Sequence, residues 1–409
     1  MTTTFLRDCP DYDPRRLRLL VARLFHDAGL AIRGGTVLVK PSFVYPARPP
    51  HSLAVSTHPA LVVAVAQALR DHGARRVVMA EDSLLGPSEV AFAAMGLNGE
   101  LSGLAEILPL KDAERVSVEI DDPFVEERFV VPRIWLEADC YVSLPKLKVN
   151  LYTDVTLSVK NNFGLLLQDH RLPNHHHGIH RKIADLFRVR PPDFVVADSI
   201  VVGEGQGPMA ADPVELGVLL AGADPLAVDV TACHLMGFDP GEIEHLRLLH
   251  EAGLGPLALD RIELEDPDLL TERRRTLRRP STDLTPFEDT VQIACGDETC
   301  CPSGCKGMLR NSLDQWQAAG RLERLRGQTF VLGKPARLPP GADPRRTLVI
   351  GDCAVDHAGA GTFLPGCPVS PLSIVGALAK RGIVVPLKAR KRDIARGYLE
   401  HAWRSLRGG

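Results

Sequence analysis

The feature that most limits the fold is a strand–helix–strand repeat near the start. GTVLVKPSF (residues 35–43) is an apolar, β-branched run that closes on Lys40-Pro41-Ser42. A helix follows from His58 through PALVVAVAQALRDHGA, with Pro59 suited to its first turn and Gly73 to its stop. RRVVMAEDS is the next strand, ending in Asp82 and Ser83. Two strands joined through a helix pair in parallel, so the chain is read as a βαβ layer structure. Helix and strand keep alternating to about Glu265. ADCYVSL and DFVVADSIVV read as strands and HRKIADLFRVR as a helix; VLLAGADPLAVDVTACHLMG gives a strand, a turn at Asp224-Pro225 and a helix carrying Asp229. GEGQGP (residues 203–208) is expected to be a flexible glycine-rich turn, since no helix start follows as a dinucleotide loop needs. The expected fold is α/β: a mostly parallel layered sheet domain over residues 1–270, a basic linker over 271–290, and a smaller cysteine-rich α/β domain over 291–409. The arginines of the linker read as a solvated run. The basic stretch KARKRDIARGYLEHAWRSLR reads as an amphipathic helix packed back through Trp403.

Ligands of parallel sheets collect beyond the carboxyl ends of the strands. Lys40, Asp82, Lys146 and Lys148 all hold that kind of position. In LPKLKVNLYTDVTLSVKNNFG (Leu144 to Gly164), Lys146 and Lys148 alternate in an extended segment and so share one side of it. Lys160 follows in an expected helical turn beside Asn161 and Asn162, ended by Gly164. Cations this close repel unless an anion lies between them. Lys40, Lys146, Lys148, Lys160 and Asn161 are therefore the candidate substrate-binding residues, for a carboxylate or a phosphate. A solvated edge of ordinary lysines is the competing reading. RLPNHHHGIHRKIAD adds Arg171 and a histidine cluster. His177 and His180 are candidate proton-transfer groups, because imidazole titrates near neutrality, with Asp198 and Glu204 to orient them.

The formal charge of −3 over 409 residues gives no reason to expect nucleic acid as a partner, and no apolar run is long enough for a membrane span. The first residues, MTTTFLRDCPDYDPRR, lack an apolar signal core, so a cytoplasmic location is expected. Of nine cysteines, Cys295, Cys300, Cys301, Cys305, Cys353 and Cys367 cluster in the last third. Without an export signal, such clustering favours a metal site over disulfides. Cys301 and Cys305, from one loop, with Cys353 and Cys367, each after a strand, form a thiolate set suited to a [4Fe–4S] cluster or, alternatively, to zinc.

GDCA and LPGCPVSP resemble the cluster loops in the small subunits of nickel–iron hydrogenases and the related quinone-oxidoreductase subunit. That resemblance implies Cys353 and Cys367 as cluster ligands. CPSGCKGML is similar to the early cysteine loop of those subunits with a different spacing, so Cys295 or Cys300 competes with Cys301 and Cys305. The pieces VKPS, AEDS, AD-YVSLPKLKVN, SVKNNFG, HHHGIHRKIADL, DSIVVGEGQGP and ADPLAVD resemble, in order, domain of unknown function 362. Ser42 stands where that family usually has asparagine, and Asn150 where histidine is common. Members often carry iron–sulfur modules, and the family implies no particular activity. Three readings follow. The first is an iron–sulfur oxidoreductase acting on an anionic substrate or cofactor, with an electron-transfer protein as partner. The second is a non-redox ligase or isomerase with a structural cluster. The third is a metal or cofactor carrier.

Overall fold

The computed structural model describes residues 2–384 apart from 33, 45–46 and 84–87. The expected C-terminal amphipathic helix lies outside the described residues. The early strands are β1 (Thr2–Asp8), β2 (Thr36–Pro41), β3 (Arg76–Ala80) and β4 (Glu106–Leu108), followed by an antiparallel hairpin of β5 (Arg115–Glu119) and β6 (Arg128–Pro132). Then come β7 (Cys140–Leu144), β8 (Lys146–Asn150), β9 (Asp154–Thr156), β10 (Phe194–Gln206), β11 (Ala210–Gly222) and β12 (Ile262–Leu264). The main sheet has the order β12-β1-β11-β10-β7-β2-β3-β4, with β8 on β10 and β9 on β8. From β4 to β10 this order is parallel; β11 runs antiparallel to both its neighbours. The mostly parallel α/β expectation holds.

β2 and β7 are almost wholly buried, as strands covered on both faces must be. Alternation then divides their side chains between two cores. Val37, Val39, Val77 and Val142 face one core, with helices Pro14–Asp27 and Pro59–Asp71. Leu38, Val78 and Tyr141 face the other, with helices Ile179–Val189 and Pro225–Met236. Helix starts follow the expected chemistry. The His58 ring accepts from the Ala60 N–H, and Asp224 accepts from Leu226 and Ala227, each ahead of a proline in the first turn.

Two local expectations need correction. Most of the glycine stretch is strand: β10 continues to Gln206, and only its Gly207 and Pro208 lie in the turn before β11 starts at Ala210. Gly203 and Gly207 serve close approach, and Gly205 a left-handed φ of +75°. A Cβ on Gly203 would stand 2.3 Å from the Ala54 carbonyl oxygen, and one on Gly207 2.1 Å from that of Val149. The linker's arginines are largely exposed, as expected of a solvated run, but they are not without partners. The linker's first part belongs to helix Pro267–Arg273, and its arginines are pinned to the main sheet's periphery. Arg278 pairs with Glu204 and Asp212, and Arg279 with Glu242.

Beyond it, β13 (Gln292–Cys295), β14 (Thr329–Leu332), β15 (Thr347–Ile350) and β16 (Thr362–Leu364) form a second, fully parallel sheet. Helices Gly307–Ala318 and Pro371–Lys380 pack on it through Trp316 and Ile374. Those two helices also face the main sheet.

Candidate functional site

Pro145 interrupts a strand without ending it: β7 before it and β8 after it both pair with β10. Lys146 and Lys148 lie in the continuation, buried, on the same side of the strand as read from their spacing. Lys146 is closed off by Asp198 at 3.0 Å and the Tyr12 hydroxyl at 3.0 Å. Lys148 reaches further, donating to the Val55 carbonyl and, at 3.4 Å, to the Ser42 hydroxyl. It meets no carboxylate among the described residues. Burial, reinforced by Lys146, pushes its ammonium down to about 7.

Lys160 and Asn161 are held by Asp229. Its two oxygens accept the Ser158 and Val159 N–H groups at 2.8 Å each, capping the short helix that carries both residues. Burial raises this carboxyl to about 7 despite those bonds. The Lys160 ammonium has no hydrogen-bond partner among the described residues and lies 5.3 Å from the centre of the Phe163 ring. Desolvation pushes it, too, down to about 7.

Lys40 ends β2 and donates three hydrogen bonds: to Glu81 at 2.5 Å, to Asn161 Oδ1 at 2.9 Å and to the Pro41 carbonyl at 2.9 Å. Three acceptors match the three N–H groups of an ammonium. Desolvation still pulls Lys40 down and lifts Glu81 to about 7. Gly164 makes room for this pair, since a Cβ there would fall 2.6 Å from Lys40 Nζ. Arg171 pairs with Asp82 at 2.9 Å. These groups line a cavity of about 310 Å³ between the main sheet and the helices of the second sheet. Phe43, Phe163, Met209, Met308, Leu372 and Val375 form much of its wall. Thus Lys40, Lys148, Lys160 and Asn161 converge as expected, while Lys146 lies behind them.

The histidine run spans two sites. His175 lines the cavity, driven by burial down to about 3. His176 lines a second, small pocket, and His177 Nε2 lies 3.0 Å from Cys301 Sγ. His180 does not join His177. It turns to His245, Nδ1 to Nδ1 at 2.9 Å, and burial lowers it to about 4. Asp198 does not orient either histidine: its oxygens take the Tyr12 hydroxyl, the His58 N–H and Lys146. Its register opposite Lys146 aims it there. Glu204 sits at the far end of the β10–β11 hairpin, holding Arg278.

Sequence reasoning passed over Glu81, although the register of Val39 opposite Met79 sets it almost level with Lys40. It also missed His245, which no local signal connects to His180.

The second pocket is lined by Cys301, Cys305, Cys353 and Cys367. Cys301 and Cys305 flank a tight turn after β13, Cys353 follows β15, and Cys367 follows β16. Cys305 Sγ accepts the Val369 N–H at 3.5 Å, and a Cβ on Gly351 would stand 2.9 Å from that sulfur. Burial raises Cys305 to about 11, and it raises Cys301 and Cys367; in each case neighbouring thiols of the same set add to the effect. Cys295 and Cys300 lie off this pocket and hydrogen-bond to each other. Among the described residues, no three His, Cys, Asp or Glu side chains gather as ligands of a single ion. The two pockets share a wall. Ser370 lines the cavity next to Val369, and Met308 lines it one turn after Cys305.

Among the described residues no helix is long and apolar enough to cross a membrane. The chain is 28% identical to a thylakoid-associated protein of Synechocystis sp. over 255 residues, 60% of this chain and 76% of that protein. Two solved structures are distantly similar. One, a protein from Thermotoga maritima, has 13% identity and a TM-score of 0.33, over 55% of this chain and 58% of that one. The other, the lactate racemase apoprotein from Thermoanaerobacterium thermosaccharolyticum, has 11% identity and a TM-score of 0.34, over 59% of this chain and 58% of that one. Neither score bears on chemistry. Residues 37–234, which hold Lys40, Lys148, Lys160 and Arg171 of the cavity, match the family described as Domain of unknown function (DUF362).

Proposed function

We propose that this protein is an iron–sulfur oxidoreductase. In this reading Cys301, Cys305, Cys353 and Cys367 hold a [4Fe–4S] cluster, and Lys148, Lys160 and Asn161 bind an anionic substrate or cofactor in the adjoining cavity. The observation that carries it is the shared wall. Three consecutive residues run from the cavity at His175, past the thiol pocket at His176, to Cys301 at His177.

The thiol set fits such a cluster in its chemistry. Four sulfurs with no Lys or Arg beside them among the described lining residues oppose one another's ionisation, and a cationic iron core would relieve that. A cubane is held at its corners, so its thiolates stand farther apart than the ligands of one ion. The pocket has about 20 Å³ with the side chains as they stand, so loading requires thiol rotation. Cys367, exposed at the rim, has room for it. When bound, the cluster supplies single electrons. The chain's own residues do the rest. Glu81 and Asn161 fix Lys40; Lys148 and Lys160 attract the anion and, titrating near 7, hold or release a proton at Nζ. His175, kept neutral, adds no competing charge. An electron-transfer protein is the partner this reading needs.

An anaerobic redox titration followed by visible absorbance tests it. Reversible bleaching at an accessible potential is expected. A cluster that never cycles but is needed for folding favours the ligase or isomerase reading. Release of bound metal to an acceptor favours the carrier.

A further inference from the structure

Resting on the reading of the cavity as an anion site, we infer that its ligand is a carboxylate carried on an apolar body, an aryl- or alkyl-carboxylic acid, rather than phosphate or a small polycarboxylate. The first argument is the charge balance. Lys40 is neutralised by Glu81 and Arg171 by Asp82, so two lining cations, Lys148 and Lys160, face no carboxylate among the described residues.

The second argument is the supply of donors. Lys148 spends two of its N–H groups on Val55 and Ser42, while Lys160 spends none. The helix start beside them offers nothing more, because Asp229 takes the Ser158 and Val159 N–H groups. The lining amides are also engaged: Asn311 donates to Tyr152 and Gln315 to the Asn311 carbonyl. A carboxylate's two oxygens are satisfied by this set. A phosphate dianion would find donors as well, in the rest of the Lys160 ammonium and in the unpartnered Arg171 Nε, so the apolar wall and not the donor count sets it apart.

The third argument is the wall itself. Phe163 lies beside Lys160, and Phe43, Met209, Met308, Leu372 and Val375 surround the remaining space. At about 310 Å³ the cavity is within the range of small-molecule sites, and its methionines adapt to a ring or a chain. A small hydrophilic anion would leave this surface facing water.

The test is calorimetric titration of the full chain, purified anaerobically, with 4-phenylbutanoate, 4-phenylbutan-1-ol, acetate and inorganic phosphate. 4-Phenylbutanoate should bind at least tenfold tighter than each of the other three. Lys160→Met should cut its advantage over the alcohol to less than threefold. Val375→Gln, a second variant away from the cations, should weaken 4-phenylbutanoate but not acetate. Phosphate or acetate binding as tightly as 4-phenylbutanoate would overturn the apolar-body assignment. Equal binding of acid and alcohol would overturn the role of the lysines. Iron and sulfide measured on the same samples separate the two claims: ligand preference without a cluster refutes the redox reading alone, and a cluster without ligand preference refutes this one alone.

Discussion

The lysine cavity and the cysteine pocket handle buried ionisable groups in opposite ways. In the cavity most charges are balanced from within: Lys40 by Glu81, Arg171 by Asp82 and, just behind, Lys146 by Asp198. Among the described residues no Lys or Arg lines the cysteine pocket, and burial holds Cys301, Cys305 and Cys367 toward the thiol form. In the proposed reading the first site awaits an anion and the second a cationic centre. The contrast separates what folding builds from what a cofactor must add.

The largest effect that would break this comparison is loss of the cluster. Cys353→Ser or Cys367→Ser should each remove most of the iron and sulfide, whereas Cys9→Ser, whose thiol is buried against Asp11, should leave both intact. Equal loss from all three would make the pocket irrelevant. Next in size is the internal ion pair. Glu81→Met leaves Lys40 charged, buried and without its carboxylate, and should cost about 3–5 kcal/mol in urea unfolding. The double variant Lys40→Met/Glu81→Met should recover most of that loss; no recovery would mean that the pair is not the unit of stability.

Lys160 sharpens the comparison from the other direction, because among the described residues its ammonium has no hydrogen-bond partner or carboxylate to lose. Its ammonium titrates near 7 in the folded chain and near 10.5 in the unfolded one. Between those values the unfolded chain binds the extra proton, so this group's penalty shrinks as pH rises from 7 toward 10.5. Lys160→Met should therefore stabilise the ligand-free protein by about 1–3 kcal/mol at pH 7 and by little at pH 10. Urea unfolding at both values checks this, and an equal gain at both would contradict a half-buried lysine with a lowered pKa. The smallest effect belongs to the periphery. Glu204→Gln, in a pair whose Arg278 is largely exposed, should cost no more than about 1 kcal/mol and leave ligand binding unchanged.

What was legible in the sequence was local. Alternation placed Lys146 and Lys148 together, Pro145 and Gly164 marked their segment, and the glycine- and proline-rich loops marked the cysteines. What was not legible depended on distant strands. Glu81 matters because β2 and β3 lie in register, and His180 meets a histidine 65 positions later. The GEGQGP stretch carries the residues of a turn, yet it is strand as far as Gln206, and Ala54 presses against the place where a Gly203 side chain would stand. Turn composition reports backbone freedom; it cannot report which backbone arrives from elsewhere. For the same reason Asp198, well placed in sequence to serve the histidines, faces Tyr12 and Lys146 instead.

The central claim is that the four-cysteine pocket holds a [4Fe–4S] cluster beside the cavity. Its most direct test is elemental analysis of the full chain purified without oxygen. Iron and acid-labile sulfide in roughly equal amounts, about four of each per chain and without stoichiometric zinc, are the predicted result. Stoichiometric zinc with no sulfide would contradict it and leave a structural metal site in the place of a redox centre.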